Sequence, residues 1–426
     1  MNSSQSSKPD QKKSKPVSSR DHRTLAKELD LYLVNEQAGQ GLPLLLPNWV
    51  IIRNKIVEFL QKKQKEFGFQ EVITPVLGSE ELYKTSGHLA HYQEYMFPAL
   101  SRESETLYLR PMTCPHHCLI FQDKTRSYRD LPLRLCENSL LHRYEASGGL
   151  KGLERPRCFE LADHHIFTTP EQLKEELKKN YHYIADILTH FDFKISRLAC
   201  ALYDPNNLEK YHSDQRIWEF SEKLLISCLN ELELKYEILR GEAAFYGPKL
   251  DFEVQTADGK NITLATIQID FILPQKFDLN YINKTEKKQV PVIIHHSPFG
   301  SYQRFIALLL EQTEGKLPFW LAPWQVAILP LNDETEIKGY CEKLKKKINE
   351  IIDARVKILA EKSLSYRIRQ VYKKKIPYYL VVGKQELEKN MFKLINTYQK
   401  TSLEELSEKE VINKLNKENK SVKLLI

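Results

Sequence analysis

The chain has 426 residues, of which 42% are hydrophobic and 28% charged, and its formal net charge at pH 7 is +7. This length suggests two or three domains with ample core. No stretch approaches the roughly 18 uninterrupted apolar residues of a membrane-spanning helix. The seven cysteines are odd in number and scattered, which favours a reducing compartment over a disulfide framework. We therefore expect a cytoplasmic protein with no membrane span, and a mitochondrial origin is left open.

The first residues are rich in Ser and Lys and have almost no apolar side chains. Because such a composition cannot form a core, we predict a disordered basic tail over residues 1–21. This tail lacks the apolar stretch of a signal peptide and the apolar face of a transit peptide.

The segment after the tail predicts a helix followed by a strand. Apolar residues recur with helical spacing over residues 49–67, and Gly68 supplies a stop. The apolar stripe consists of Ile52, Ile56, Phe59, Leu60 and Phe67. The following segment, Q-E-V-I-T-P-V-L, is predicted to be a strand.

Three segments each place histidine or cysteine inside an apolar run that we interpret as a strand: P-M-T-C-P-H-H-C around Cys114, L-A-D-H-H-I-F around His165, and V-I-I-H-H-S-P-F-G-S around His295. Zinc takes thiolate and imidazole ligands, and three protein ligands leave a fourth position open to a substrate. Taken singly, each residue is more typical of an ordinary buried side chain. Together the three, far apart in sequence, predict one zinc site of the catalytic rather than the zinc-finger type.

A second group of residues is suited to hold a nucleotide. The run L-L-H-R-Y-E places Arg143 and Glu145 two residues apart, which on a strand puts both on one face. A Gly-rich stretch then leads to Arg155 and Phe159 on a predicted returning strand. Guanidinium groups match phosphate oxygens, so this hairpin could grip a triphosphate, although charged hairpin tips are also common on surfaces. Arg304, which opens the apolar run F-I-A-L-L-L, favours the nucleotide interpretation.

Two further patterns complete the secondary-structure prediction. T-P-E-Q at residues 169–172 predicts a helix start with proline in the first turn and a capping box. After residue 323, short apolar runs alternate with charged helical stretches, which predicts a small α/β domain. The positive charge concentrates there, which favours an RNA partner, while a solvated helical face is the alternative.

Taken together, these motifs resemble the threonyl-tRNA synthetases, a family of class II aminoacyl-tRNA synthetases, and most closely their short forms without an editing domain. The resemblance covers residues 22–426. It implies an α+β fold, with a class II catalytic domain over residues 22–323 built on a mostly antiparallel sheet with flanking helices. A small α/β anticodon-binding domain would occupy residues 324–426. The predicted helix and the strand with Pro75 match the first class II motif, which implies a homodimer.

The resemblance also implies roles for the candidate nucleotide residues. Arg143 would hold the α-phosphate of ATP, and Glu145 would hold the adenine amino group. Arg155 would reach the outer phosphates, while Phe159 and Arg304 would cover the two faces of adenine. Mg²⁺ would accompany ATP, but its ligands are not identified by the sequence.

Further matching segments are K-T-S-G-H, A-A-F-Y-G-P-K and A-T-I-Q-I-D-F. The family's zinc ligands fall on the same three residues already singled out. The implied threonine-binding residues are Asp163, Tyr246, Thr266 and Gln268. Two implied catalytic residues besides Arg143 are Lys249 and His88, the second as an acceptor of the ribose hydroxyl proton.

Four positions depart from the family pattern. Leu161 stands where many relatives have glutamine, and Ala162 replaces an acidic residue. His296 and Gln303 replace an arginine and a glutamate of the third class motif. In the C-terminal domain, K-L-I-N-T-Y-Q occupies the region of an arginine-rich strand, so anticodon reading is the least secure expectation.

The expected reaction is ATP-dependent attachment of L-threonine to tRNA(Thr) through a threonyl-adenylate. Only about 40 residues precede the first motif, fewer than the roughly 50 of a small domain, so we expect no editing in cis. One alternative is a synthetase-like paralogue that binds RNA or regulates without charging tRNA. Another is a zinc hydrolase, but the H-E-x-x-H motif that would support it does not occur.

Overall fold

The computed structural model describes residues 19–207, 211, 214–256 and 258–420. The tail predicted over residues 1–21 therefore lies outside the described residues except at its end, where the Asp21 side chain accepts a hydrogen bond from the Arg23 backbone and caps the first helix. Within these ranges, no helix has both the length and the apolar character needed to cross a membrane.

The described helices are α1 His22–Glu28, α2 Pro47–Glu66, α3 Glu80–Ser86, α4 His88–His91, α5 Cys114–Gln122, α6 Leu173–His190, α7 Gln215–Glu231, α8 Leu273–Lys276, α9 Tyr302–Thr313, α10 Thr335–Ile352, α11 Leu364–Lys373, α12 Lys384–Lys389 and α13 Glu408–Lys420. The strands of the N-terminal part are β1 Tyr32–Leu33, β2 Leu44–Leu45, β3 Gln70–Glu71, β4 Leu77–Ser79, β5 Leu100–Arg102, β6 Glu105–Leu109, β7 Arg126–Ser127, β8 Leu133–His142, β9 Cys158–Thr168, β10 Ile195–Leu202, β11 Glu237–Arg240, β12 Lys249–Gln255, β13 Asn261–Asp270, β14 Tyr281–Ile282, β15 Lys288–Gln289 and β16 Val292–Ser297. Those of the C-terminal part are β17 Val326–Pro330, β18 Val356–Ile358, β19 Tyr378–Val382, β20 Met391–Asn396 and β21 Thr401–Ser407.

An eight-stranded sheet forms the centre of the N-terminal part, in the order β11-β10-β12-β13-β16-β9-β8-β3. Its neighbours are antiparallel except at the two edges, where β11 and β3 pair in parallel. This mostly antiparallel α+β architecture confirms the predicted fold class. The hairpin of β8 and β9 was also predicted, and its two strands pair from Leu133 opposite Phe167 to His142 opposite Cys158.

Side chains alternate between the two faces of this sheet, as they must along any strand. On β9, Ala162 and Ile166 join the main hydrophobic core, which also takes in residues of α2, α6 and α9. Leu161, Asp163 and His165 face the other way and line a cavity. One face of the sheet therefore carries the main core. The opposite face carries a smaller core under α5 and α8 at one end and the cavity beside it.

The predicted first helix is confirmed as α2, but the strand predicted after it is wrong in extent. The apolar stripe of α2 is buried, and Gly68 adopts a positive φ of 74° directly after the helix. The segment Q-E-V-I-T-P-V-L forms only β3 and the start of β4. Pro75 has no backbone N–H to give to a sheet, and the backbone N–H of Thr74 donates to the Glu137 side chain instead.

Helix α6 begins at Leu173, after the predicted start at Pro170. The predicted capping-box hydrogen bonds nevertheless form. The Gln172 backbone N–H lies 3.3 Å from Thr169 Oγ1, and the Thr169 backbone N–H lies 3.1 Å from Gln172 Oε1. The two residues thus stabilise the turn that leads into the helix.

The C-terminal part forms a five-stranded sheet in the order β18-β17-β19-β20-β21, with parallel pairs among the first three strands and antiparallel pairs after them. A separate hydrophobic core contains residues of α10 and α13 packed on this sheet. This agrees with the predicted small α/β unit. Lys374 Nζ reaches Asp30 Oδ2 at 2.5 Å and links this unit to the N-terminal part.

Candidate active site

A cavity of about 890 Å³ opens on the face of the large sheet that does not carry the main core. Strands β8, β9, β12, β13 and β16 all contribute lining residues, together with the segment after α4 and the first turn of α9. A volume of this size is typical of sites for small molecules.

Cys114, His165 and His295 meet at this cavity, with one potential ligand atom of each lying within 4.8 Å of the others. The two histidines lie directly opposite each other on β9 and β16. Cys114 was expected on a strand, and this is wrong, because it begins α5. Pro115 suits a first helical turn, and Cys114, Cys118 and Phe121 are buried at the spacing of a helix.

The buried carboxylate of Asp270 determines which nitrogen of His295 can face Cys114 and His165. Asp270 Oδ2 lies 2.9 Å from His295 Nε2, and Asp270 Oδ1 accepts the backbone N–H groups of Ile272 and Leu273. Because Nε2 is occupied by this contact, Nδ1 is the nitrogen of His295 that can bind a cation. Sequence analysis did not single out Asp270, although it lies within the quoted segment A-T-I-Q-I-D-F.

The donor set fits zinc. One thiol and two imidazoles converge, and the ring of His295 has a carboxylate partner of the kind that metal-bound histidines use. Burial raises the pKa of the Cys114 thiol well above its usual range. A cation at this point would favour the thiolate and so offset that effect.

The four predicted threonine-binding residues lie beside this cluster. Tyr246 donates its hydroxyl hydrogen bond to Gln268 Oε1, and its ring centroid lies 5.0 Å from that of His295. Gln268 Nε2 lies 3.4 Å from Thr266 Oγ1. Asp163 accepts a hydrogen bond from the Thr113 hydroxyl, and burial raises the pKa of its carboxyl group.

Gly247 permits the approach that places Tyr246 in the cavity. A Cβ atom on Gly247 would lie 1.8 Å from the carbonyl oxygen of Ile269. The Ile269 backbone N–H also donates to the Pro248 carbonyl at 3.1 Å. The chain therefore runs against β13 here at a distance that no side chain allows.

The predicted nucleotide residues line the other end of the cavity. Arg155 Nη2 lies 2.8 Å from Glu145 Oε2, and the Arg143 guanidinium lies 5.2 Å from the ring centroid of Phe159. Arg304 donates to the carbonyl oxygens of Glu154 and Thr263 at 3.2 and 3.3 Å. Burial lowers the pKa of Arg304.

The expectation that Arg143 and Glu145 share a strand is wrong. Strand β8 ends at His142, and the chain then turns so that the Glu145 backbone N–H donates to the Arg143 carbonyl at 2.8 Å. Both side chains line the cavity all the same.

Lys249 and His88 occupy different surroundings. Lys249 lies at the cavity, with Nζ 2.5 Å from Asp251 Oδ2. His88 is fully buried, with Nδ1 2.8 Å from Ser86 Oγ and Nε2 3.3 Å from Met112 Sδ. Burial lowers the pKa of His88 to about 3. The structure thus places Met112, and not the His88 ring, at the cavity wall.

Three of the four departures from the family pattern lie in the protein interior. Leu161 lines the cavity, whereas Ala162 belongs to the core on the other face of β9. The His296 ring stacks on His164 with centroids 4.6 Å apart. Gln303 is buried, and its Oε1 accepts the Glu160 backbone N–H at 3.0 Å.

Comparisons with known proteins bear on this arrangement. Residues 95–313 match the family of the tRNA synthetase class II core domain (G, H, P, S and T). Residues 325–418 match the anticodon binding domain family.

Individual proteins also match over most of the chain. A threonine–tRNA ligase of Ureaplasma parvum serovar 3 is 44% identical over 402 residues, which cover 94% of this chain and 69% of that protein. One of Listeria monocytogenes serotype 4a is 44% identical over 378 residues, or 88% of this chain and 58% of that protein. The crystal structure of the RNA binding domain of threonyl-tRNA synthetase from Cryptosporidium parvum Iowa II superposes with a TM-score of 0.85 at 33% identity, covering 93% of this chain and 97% of that chain.

Proposed function

The chain belongs to the threonyl-tRNA synthetases, the threonine–tRNA ligases among the class II aminoacyl-tRNA synthetases, and from this premise we propose that it charges tRNA(Thr) by a zinc-assisted route. The observation that carries the proposal is the meeting of Cys114, His165 and His295 in the same cavity as the arginines. An amino acid held at the first group and ATP held at the second would lie side by side.

In the first step, the threonine carboxylate attacks the α-phosphorus of ATP and pyrophosphate leaves. Arg143 and Arg155 would stabilise the negative charge that grows on the phosphoryl oxygens. Phe159 and Arg304 would hold adenine between them, and Glu145 would bind its amino group. Class II synthetases use Mg²⁺ with ATP, and the side chains that would hold it are not assigned.

The amino-acid end is arranged to hold threonine by its polar groups. When bound, zinc would supply an open coordination position for the amino and hydroxyl groups of the substrate. Asp163, Tyr246 and Gln268 border that position and supply further hydrogen-bonding groups. Leu161 would lie near the methyl group, because it precedes Asp163 on the same face of β9.

In the second step, a hydroxyl of the terminal tRNA ribose attacks the adenylate carbonyl and AMP leaves. Lys249, at the cavity edge, would stabilise the phosphate of the departing AMP. The role predicted for His88 as proton acceptor stays a prediction, and it requires Met112 to move aside.

We also propose that two copies associate through the β3 edge of the large sheet. Exposed apolar side chains lie just after β3 and on its neighbour β8: Ile73 is 92% exposed and Leu140 41%. Such a surface is typical of a subunit interface. Light scattering should give twice the chain mass, and Ile73→Asp should yield monomers. Ile351→Asp is the matched control, because Ile351 is 52% exposed on α10, in the other part of the chain.

For the C-terminal part, we propose that residues 324–426 bind the anticodon stem and that the protein works in the cytoplasm. The basic surplus of these residues supports an RNA-binding role.

Threonine-dependent exchange of pyrophosphate into ATP tests the proposed function. The purified protein should catalyse exchange with threonine and should transfer threonine to tRNA(Thr). An RNA-binding paralogue would bind tRNA without exchange, and that result would overturn the proposal.

A further inference from the structure

We propose that His117 is a positioning residue for the metal, because its hydrogen bonds hold His165 in the one tautomer that can bind a cation from the cavity side. The inference rests on the zinc site of the proposed function. Neither His117 nor its partner Glu137 was assigned a role from the sequence.

The contacts form a chain of three side chains. His165 Nδ1 lies 2.9 Å from His117 Nδ1, and His117 Nε2 lies 3.2 Å from Glu137 Oε2. His117 is fully buried and Glu137 almost so.

The direction of each hydrogen bond follows from the geometry at the two ends of this chain. At one end, the Glu137 carboxylate accepts from His117 Nε2. At the other end, Nδ1 of His165 is occupied by His117, so Nε2 is the nitrogen that His165 can offer to a cation. A neutral histidine that binds a cation through Nε2 carries its proton on Nδ1, so His165 donates from Nδ1 and His117 accepts at its own Nδ1.

The opposite tautomer of His165 would be costly here. It would set two nitrogen lone pairs against each other in a buried contact and would turn an N–H group toward the metal. A His117 side chain that accepts at Nδ1 therefore favours the tautomer of His165 that binds a cation through Nε2.

Glu137 is itself anchored from two sides. Arg110 Nη2 lies 2.9 Å from Glu137 Oε1, and the Thr74 hydroxyl donates to Oε2 at 2.7 Å. Arg110 also donates to the Leu140 carbonyl at 2.9 Å. A buried network whose members are all satisfied is rigid, so these contacts place His117 within narrow limits.

The two histidine ligands are thus oriented by different devices. His295 donates directly to the carboxylate of Asp270, whereas His165 reaches its carboxylate through a second imidazole. Partners of this kind are worth about 10–100-fold in metal affinity, and His117 should contribute on that scale.

The test uses two substitutions, each of which keeps only one of the two hydrogen bonds of His117. In His117→Asn the amide oxygen can take the place of Nδ1 and accept from His165. In His117→Gln the amide nitrogen can take the place of Nε2 and donate to Glu137, but the acceptor for His165 is lost. His116→Gln is the matched control on the neighbouring residue, whose Nε2 bonds the Leu77 carbonyl at 3.2 Å.

Zinc affinity would be measured by competition with a chromophoric chelator, and coordination geometry by the visible absorption of cobalt-substituted protein. We expect His117→Gln to weaken zinc binding by roughly 10–100-fold and to alter the cobalt spectrum. His117→Asn and His116→Gln should stay close to wild type in both measurements. Wild-type affinity in His117→Gln, or equal losses in the Asn and Gln variants, would overturn the inference.

Two further measurements keep the outcome decisive if the variants do not fold. Neutron diffraction of the zinc-bound wild-type protein should show deuterium on His165 Nδ1 and on His117 Nε2, and deuterium on His117 Nδ1 would refute the inference. Cys114→Ser separates this result from the zinc site as such. If the wild-type protein and Cys114→Ser hold equal amounts of zinc, the proposed metal site fails. If only Cys114→Ser loses zinc and His117→Gln does not, the zinc site stands and His117 has no positioning role.

Discussion

The two ends of the cavity differ in how firmly their charged or metal-binding side chains are held. At the metal end, Cys114, His165 and His295 are buried, and each histidine has a buried partner for its second nitrogen. At the nucleotide end, Glu145 and Phe159 are buried as well, but the Arg155 side chain is 48% exposed and pairs with Glu145. Buried networks are rigid and intolerant of a missing member, whereas exposed ion pairs are weak and easily rearranged.

The contrast matches what each end would do in the proposed reaction. Recognition of a small amino acid depends on a few atoms in fixed places, so a preorganised and desolvated site suits it. The triphosphate carries many charges, which change position as pyrophosphate leaves. Arg155, which can exchange Glu145 for a phosphate oxygen, is suited to that task. Substitutions should therefore act in an all-or-none way at the first end and by degrees at the second.

The largest effect is expected at the metal end. Cys114→Ser should remove most of the zinc and abolish threonine-dependent exchange, because two imidazoles alone hold zinc poorly. Elemental analysis of protein purified without added metal should give about one zinc per wild-type chain. Cys341→Ser is the control, since Cys341 is equally buried in the C-terminal core. Full zinc content in Cys114→Ser would contradict the expected all-or-none response of the metal end.

Substrate discrimination should show the same all-or-none character. Valine has the shape of threonine without its hydroxyl, and a site built to bind that hydroxyl should reject valine by about 10⁴ to 10⁵ in kcat/KM. Serine keeps the hydroxyl and lacks one methyl group, so it should be disfavoured by only roughly 10 to 200-fold. Exchange kinetics with the three amino acids measure both ratios. Comparable rejection of valine and serine would show that the hydroxyl is not what the site reads. The expectation that seryl-tRNA escapes correction in cis stays a prediction.

At the nucleotide end, Arg143→Ala should lower adenylate formation by at least ~10²-fold, the scale for loss of one group that stabilises developing charge. Arg102→Ala is the control, because Arg102 is an exposed arginine on β5. Zinc content should be unchanged in both variants. If Arg143→Ala keeps an activity within a few-fold of wild type, Arg143 does not stabilise the developing charge as proposed.

The smallest effect is expected for Arg304. Arg304→Ala should raise the KM for ATP by about 5-fold, in line with roughly 1 kcal/mol for a guanidinium stacked on an aromatic ring, and should leave the KM for threonine nearly unchanged. Arg304→Lys keeps the charge without the planar group, so it should resemble Ala. A larger change in the KM for threonine than in the KM for ATP would contradict the proposed contact of Arg304 with adenine.

The sequence predicted those features that depend on local pattern. Periodicity predicted the amphipathic α2, the hairpin of β8 and β9, and the alternation of strands and helices in the C-terminal part. Cys114 was assigned to a strand because a short apolar run does not distinguish a strand from a buried helix. The spacing of Cys114, Cys118 and Phe121 was the available signal for α5.

The supporting partners could not be predicted, because they depend on the packing of distant elements. Asp270 meets His295 only through the pairing of β13 with β16. His117 meets Glu137 only because α5 packs against β8. The burial of His88 behind Met112 is likewise a result of packing, which no local pattern in K-T-S-G-H indicates.

The close approach of Gly247 to β13 has a consequence for how the protein tolerates mutation. Tyr246 and Lys249 flank Gly247 on the same side of this contact, so a shift of the backbone here moves both side chains at once. Even alanine would force the carbonyl of Ile269 or the segment around Gly247 to move. In a complete scan of substitutions, position 247 should therefore tolerate glycine alone, whereas Gly148 and Gly149, which have open space around them, should tolerate many residues.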